Sequence, residues 1–205
     1  MESFLLILFF SGIIIYKNIF KSDVIYIELP EKNEPYKNAS NKTKKKKYLV
    51  RNVKDKEQAV KILNHIHYQL ELLTNKLLND NNVLNDSMYK YILNLKDKLD
   101  DVEIQESSAD SIYTSYSVNK GEMLVFCIRS KKDNKIHDIN DLLYVAIHEL
   151  AHIACPEIGH TELFFSINSY LIKKAIEYGI YKYVDYNSEP HEYCGIDLSV
   201  SVANN

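Results

Sequence analysis

Residues Asp141 to Ala154 read DLLYVAIHELAHIA, a stretch apolar almost all the way round, which predicts a buried helix and not an amphipathic surface one. Its few polar side chains are informative, because burying His or Glu without a partner is costly. His148 and His152 stand four apart, so their imidazoles project from one face, one above the other, at a separation that suits a single Zn²⁺. Glu149, beside the first histidine and offset by about 100° around the helix, can reach a water on that metal without joining its ligands. That is where a general base has to stand.

A catalytic zinc site usually takes three protein ligands and leaves the fourth position to water. The third ligand must come from beyond the helix. Pro156 cannot continue it and Gly159 permits a turn, so the chain can reverse and present His160, eight positions after His152. Glu157 and Glu162 compete for the same role, and Cys155, three residues after His152, is a soft alternative donor. The bland reading of the same residues is two satisfied core histidines beside an ion-paired glutamate.

The chain has 205 residues, 46% of them apolar and 26% charged, enough for one sizeable core with a short appendage. A net charge of -3 excludes a global attraction to nucleic acid, so nucleic acid is not an expected partner. One local field stands out: Lys42, Lys44, Lys45, Lys46, Lys47 and Arg51, with no acid among them. Three cysteines, Cys127, Cys155 and Cys194, are an odd number without a C-x-x-C pair. They predict unpaired buried thiols and a reducing compartment.

Residues Phe4 to Tyr16 carry no charge, and the apolar character resumes at Ile19 and Phe20, so residues 4–20 predict a membrane contact, with Lys17 and Lys21 snorkelling to the interface. The cations all follow the run. By the positive-inside rule this predicts a single-pass N-terminal anchor with the rest of the chain facing the cytosol. Pro30, Pro35 and several Asn then read as a linker, in which Lys42 to Arg51 are either a site for anionic lipid beside the anchor or a solvated spacer. The expected organisation is an anchor over 1–21, a basic linker over 22–53 and a zinc domain over 54–205.

In the third segment Ala59, Ile62, Leu63, Ile66, Leu70, Leu73 and Leu77 recur at helical spacing, and Met88, Tyr91, Ile92, Leu95 and Leu99 mark a second helix from about Asp86 to Asp101. His65 and His67, two apart and on different faces, read as packing or surface residues. Ile112 to Val118, the turn Asn119-Lys120-Gly121, and Met123 to Ile128 predict an antiparallel hairpin, whose strand could hold an extended peptide. Leu163, Phe164, Ile167, Leu171 and Ala175 predict a last helix ending near Gly179. In the tyrosine-rich tail, Tyr193 and His191 are candidates to donate a hydrogen bond to a developing oxyanion.

The run His148-Glu149-Leu150-Ala151-His152, followed within a short loop by His160-x-x-x-Phe164, resembles the H-E-L-x-H … H-x-x-x-F pattern of the WLM and SprT-like zinc metallopeptidases. The similarity covers roughly Ile112 to Tyr178. It includes a strand like Val125 to Arg129 before the active-site helix, but not the ubiquitin- or SUMO-binding tail of some relatives. In its Lys-, Asn-, Ile- and Tyr-rich usage the chain is also similar to WLM-like metallopeptidases predicted in large DNA viruses. The resemblance implies an α+β, zincin-like fold with helices on a small antiparallel sheet or hairpin. It implies one catalytic Zn²⁺ on His148, His152 and His160, Glu149 as base, Phe164 as a packing residue, and a protein or peptide substrate. Two other classes fit the residues: a tethered interaction module with a closed structural zinc site, and a zinc hydrolase of a non-peptide amide.

Overall fold

The helix expected around His148 forms over Ile139–Ala154, and every residue from Asp141 to Ala154 except His152 is buried. Asp138 starts it, its carboxylate accepting from the Asn140 amide at 2.8 Å. The computed structural model to which this helix belongs describes residues 24–28, 46–96, 98–99 and 101–198. In chain order its elements are β1 (Val24–Glu28), β2 (Lys47–Arg51), α1 (Lys56–Asn79), α2 (Asn81–Leu84), α3 (Tyr89–Lys96), β3 (Glu103–Glu106), β4 (Tyr116–Val118) and β5 (Met123–Phe126). Then follow α4 (Ile139–Ala154), α5 (Glu162–Glu177), β6 (His191–Tyr193) and β7 (Ile196–Leu198).

The apolar spacing of α1 does what it predicts. Ala59, Leu63, Ile66, Leu70, Leu73 and Leu77 are buried, and α1 packs against β2, β3 and α4. The helix expected from about Asp86 to Asp101 is shorter, Tyr89–Lys96, and an extra short helix, Asn81–Leu84, precedes it. The Asp80 carboxylate accepts from the Asn82 amide at 2.9 Å and that of Asp86 from the Met88 amide at 2.8 Å, so the chain starts one short helix between the two expected ones and a second just after Asp86.

Five strands form one sheet in the order β1-β2-β3-β5-β4. The expected hairpin is present as the antiparallel pair β4 and β5, turned by Asn119, Lys120 and Gly121, all with positive φ. A Cβ on Gly121 would stand 3.1 Å from Ile153 of α4, so the turn lies directly on the site helix. The sheet is not the small antiparallel one expected, because β3 pairs in parallel with both β2 and β5. Parallel pairing needs a long crossover, and the chain from β2 to β3 supplies it in α1 to α3. β1 and β2 come from the segment read as a linker and pair antiparallel with each other. There Lys46 meets the buried Glu71 at 2.8 Å and Lys47 meets Glu28 at 2.8 Å; Lys42, Lys44 and Lys45 lie outside the described residues.

Two expectations are overturned. Among the described residues no helix is long and apolar enough to cross a membrane, so the single-pass anchor with a catalytic domain facing the cytosol has no support; the run over 4–20 lies outside them. α1 has the length but is amphipathic, and α4 is apolar but has only 16 residues and contains Asp141 and Glu149. The thiol expectation fails too, since Cys127 and Cys194 form a disulfide across a sequence separation of 67, leaving Cys155 free and buried. Cys127 follows β5 and Cys194 sits in the tight turn between β6 and β7. That juxtaposition is tertiary, and spacing along the chain does not contain it.

Candidate metal centre

α4 places His148 and His152 one turn apart, their ring centroids 5.0 Å from each other. The helix stops at Cys155, whose backbone is extended, and Gly159 turns the chain with φ +83. His160 therefore arrives just before Thr161, the residue that caps α5 by accepting from the Phe164 amide. Lys120, in the β4–β5 turn, fixes this loop: its ammonium donates to the carbonyls of His152 at 3.2 Å, Cys155 at 2.7 Å, and Glu157. A cation at a helix C-terminus meets carbonyls that have no intrahelical partner.

The outcome is convergence. His160 Nε2 lies 3.1 Å from Nε2 of His148 and 3.1 Å from Nε2 of His152. Phe164, fully buried, backs all three rings: it stacks on His152 at 4.1 Å and meets His148 edge-on at 4.9 Å and His160 at 4.8 Å. A ring nitrogen offers either one hydrogen or one lone pair, so His160 Nε2 can satisfy only one neighbour by a hydrogen bond. A cation between the rings satisfies three lone pairs at once. Burial, then the charges of His160 and Lys120, push His152 down to about 4, so its ring is neutral and able to ligate at ordinary pH.

Glu149 is 4% exposed. Burial pushes its carboxyl up to about 8, while the Ser117 amide that hydrogen-bonds it pulls the other way. The histidines and Glu149 open into a cleft of about 940 Å³, lined by Ser115 just before β4, by Tyr116 and Ser117 of β4, and by Tyr193 from β6. Of the two oxyanion candidates, only Tyr193 is here. His191 turns the other way, its Nδ1 2.9 Å from the buried Asp141 carboxylate, which also accepts from Tyr186 at 2.8 Å.

Of the competing ligands, Glu157, Glu162 and Cys155 all lie outside the cluster, which among the described residues consists of His148, His152 and His160. His67 is buried against Tyr48, away from the site. The sequence reading passed over Lys120, although a lone cation in a tight turn ahead of the site helix was its signal. Ser115 carried no signal at all.

The chain is thus an α+β protein, a mixed sheet covered by helices, with three histidines and a buried glutamate at the bottom of an open cleft. No protein-family model matches it. It is 43% identical over 152 residues to the uncharacterized protein R325 of Acanthamoeba polyphaga mimivirus, a match spanning 74% of this chain and 76% of that protein, and it belongs to the same family. It is also 39% identical over 89 residues to the uncharacterized protein 042R of Invertebrate iridescent virus 3, covering 43% of this chain and 50% of that one. With the uncharacterized protein 136R of Invertebrate iridescent virus 6 the identity is 34% over 92 residues, 44% of this chain and 48% of that one. Among solved structures, Wss1 from Saccharomyces cerevisiae superposes with a TM-score of 0.46 at 17% identity, over 63% of this chain and 89% of that one.

Proposed function

We propose that this chain is a zinc-dependent metallopeptidase in which His148, His152 and His160 hold the metal and Glu149 is the general base. The observation that carries the reading is the meeting of three imidazole Nε2 atoms beside a buried glutamate in a cleft open to solvent. Tetrahedral zinc with bonds of about 2.0–2.1 Å requires its nitrogen ligands to stand about 3.3 Å apart. Two of the three separations are 3.1 Å, and neutral imidazole is a donor that zinc accepts. The cluster's three members leave one vertex for a reactant, which favours a catalytic site over a closed structural one. The resemblance of the motif to the WLM and SprT-like metallopeptidases points the same way, and the edge position of β4 beside the cleft favours an extended peptide over other amides.

When bound, zinc would supply a Lewis acid and bring the pKa of water toward neutrality. Glu149 takes the proton of the attacking water and returns it to the departing amine. Burial makes the ionised carboxylate a stronger base, and the positive charge of a bound zinc would favour that ionised form, so that Glu149 is ready to accept the proton. Phe164 keeps the three rings aligned, and Lys120 keeps the loop carrying His160 folded back on α4. Atomic absorption and peptide cleavage on one preparation test the reading. Glu149→Gln is expected to keep one zinc per chain while cleavage falls by about 10²–10⁴-fold. Full activity in that variant, or a wild type that purifies without stoichiometric zinc, refutes it.

A further inference from the structure

Tyr193 and Ser115, 78 residues apart, bring their hydroxyls to 2.6 Å at the edge of the cleft. The order of donors around them is constrained. The Cys127 amide donates to Ser115 Oγ at 3.1 Å, so one lone pair of that oxygen is already engaged. If Tyr193 donated as well, Ser115 would accept twice and its own hydrogen would go unused. If Ser115 donates instead, each group gives one hydrogen in turn, from the Cys127 amide to Ser115 and from Ser115 to the Tyr193 oxygen. The phenolic hydrogen is then left over for the cleft, and each link polarises the next.

We propose that Tyr193 donates the hydrogen bond that stabilises the oxyanion formed during cleavage, and that Ser115 is the positioning residue that turns its hydrogen into the cleft. The inference rests on the peptidase reading above. Tyr193 lines the same cleft as His148, Glu149, His152 and His160. It is 1% exposed, so its donor sits where water competes poorly and hydrogen bonds to a charge are strong. Burial, which outweighs the opposing pull of the Ser115 hydrogen bond, and then the charge of Glu149 hold the phenol above its ordinary pKa, keeping the hydrogen on the oxygen.

Placement is rigid on both sides. The Cys127–Cys194 bond ties the residue after Tyr193 to the residue whose amide begins the chain of donors. The Cys194 amide also donates to His137 Nε2 at 3.2 Å, and the His137 ring lies 4.9 Å from that of Tyr193. A donor fixed before the reaction needs no reorganisation when charge appears. Lys120, the cation on the cleft wall, has its ammonium committed to three carbonyls and is not free for this task.

The test uses the full-length zinc-loaded protein with Tyr193→Phe, Ser115→Ala, Ser115→Thr and the control Tyr183→Phe, an exposed tyrosine outside the cleft. Zinc content, peptide cleavage and calorimetric affinity for a phosphinic peptide, whose anionic oxygen imitates the oxyanion, are measured on each. Tyr193→Phe is expected to keep zinc and KM, to lose about 10²-fold in kcat, and to bind the phosphinic peptide weaker by a similar factor. Ser115→Ala should show a smaller loss in both readouts, Ser115→Thr should recover it, and Tyr183→Phe should resemble wild type. Unchanged kcat and phosphinate affinity in Tyr193→Phe overturn this inference alone, and so does loss of zinc or of folding in that variant, which would make the phenol structural. A wild type that binds zinc and cleaves no peptide overturns the peptidase reading and this inference with it.

Discussion

Breaking the Cys127–Cys194 bond should cost a large part of the stability of the domain. A cross-link restricts the unfolded chain, and for a closed loop of the observed separation, 67 residues, the chain-entropy relation gives about 4.4 kcal/mol at 25 °C. With a urea m-value of about 2–3 kcal/mol/M, that shifts the unfolding midpoint down by roughly 1.5–2 M. The folded state loses little in exchange, because Cys127 and Cys194 are buried beside neighbours that hold them independently: β5 for the first, and the His137 contact for the second. The assay is urea unfolding followed by circular dichroism on three samples: oxidised wild type, wild type reduced with a phosphine, and Cys127→Ala/Cys194→Ala. The last two should coincide with each other and fall below the first. Thiol titration of the unreduced protein in denaturant should find one free thiol, that of Cys155. Three titrating thiols, or equal midpoints for all samples, would refute the argument.

Arg129 is buried between Glu106 at 2.7 Å and Asp55 at 2.6 Å. Arg129→Met leaves the buried Glu106 carboxylate uncompensated and should destabilise the domain by about 3–5 kcal/mol in urea unfolding, with part of that recovered by adding Glu106→Gln. A loss well under 1 kcal/mol would show that the cluster is not a coupled unit. His191 supplies a pH dependence: its hydrogen bond to Asp141, then that carboxylate's charge, raise its pKa above the ordinary 6.5. Because the folded state binds the proton more tightly, the stabilisation is complete below the unfolded pKa and fades as pH rises through the folded one. Thermal melts of wild type and His191→Gln should therefore differ more at about pH 5.5 than at about pH 8, and a gap that widens with pH contradicts the pairing.

How much of this could be read from the chain follows from how far apart the partners are. His148, Glu149 and His152 lie within one helix whose spacing is fixed by geometry, and Pro156 and Gly159 announce the turn that returns His160. The amphipathic faces of α1 and α5 are equally local. Strand β3 was missed for a physical reason: it reads EIQE, with charges at both ends of a strand that lies mid-sheet. Glu106 is tolerated there because Arg129 and the Arg51 amide satisfy it, and neither partner is near it in the chain. The disulfide and the Tyr193–Ser115 contact belong to the same class. Their members come from the residue before β4, the residue after β5, the end of β6 and the turn that follows it, and only the folded sheet shows that these meet.

The same distinction explains how the cleft keeps its shape. The histidine cluster belongs to α4 and the loop after it, whereas the strand beside the cleft belongs to the sheet, and no sheet hydrogen bond joins the two. Lys120 does so. Its backbone forms the β4–β5 turn while its ammonium holds the carbonyls of His152, Cys155 and Glu157. Gly121 next to it brings the turn within a methyl group's reach of Ile153, so the turn cannot drift away from α4 without losing packing as well. The distance from the histidines to the strand is therefore set by the Lys120 side chain, by the hydrogen bond from the Ser117 amide of β4 to Glu149 of α4, and by one close approach. A peptide bond laid along that strand would be delivered to the histidines at a spacing fixed before it binds, which is what an oriented reaction requires.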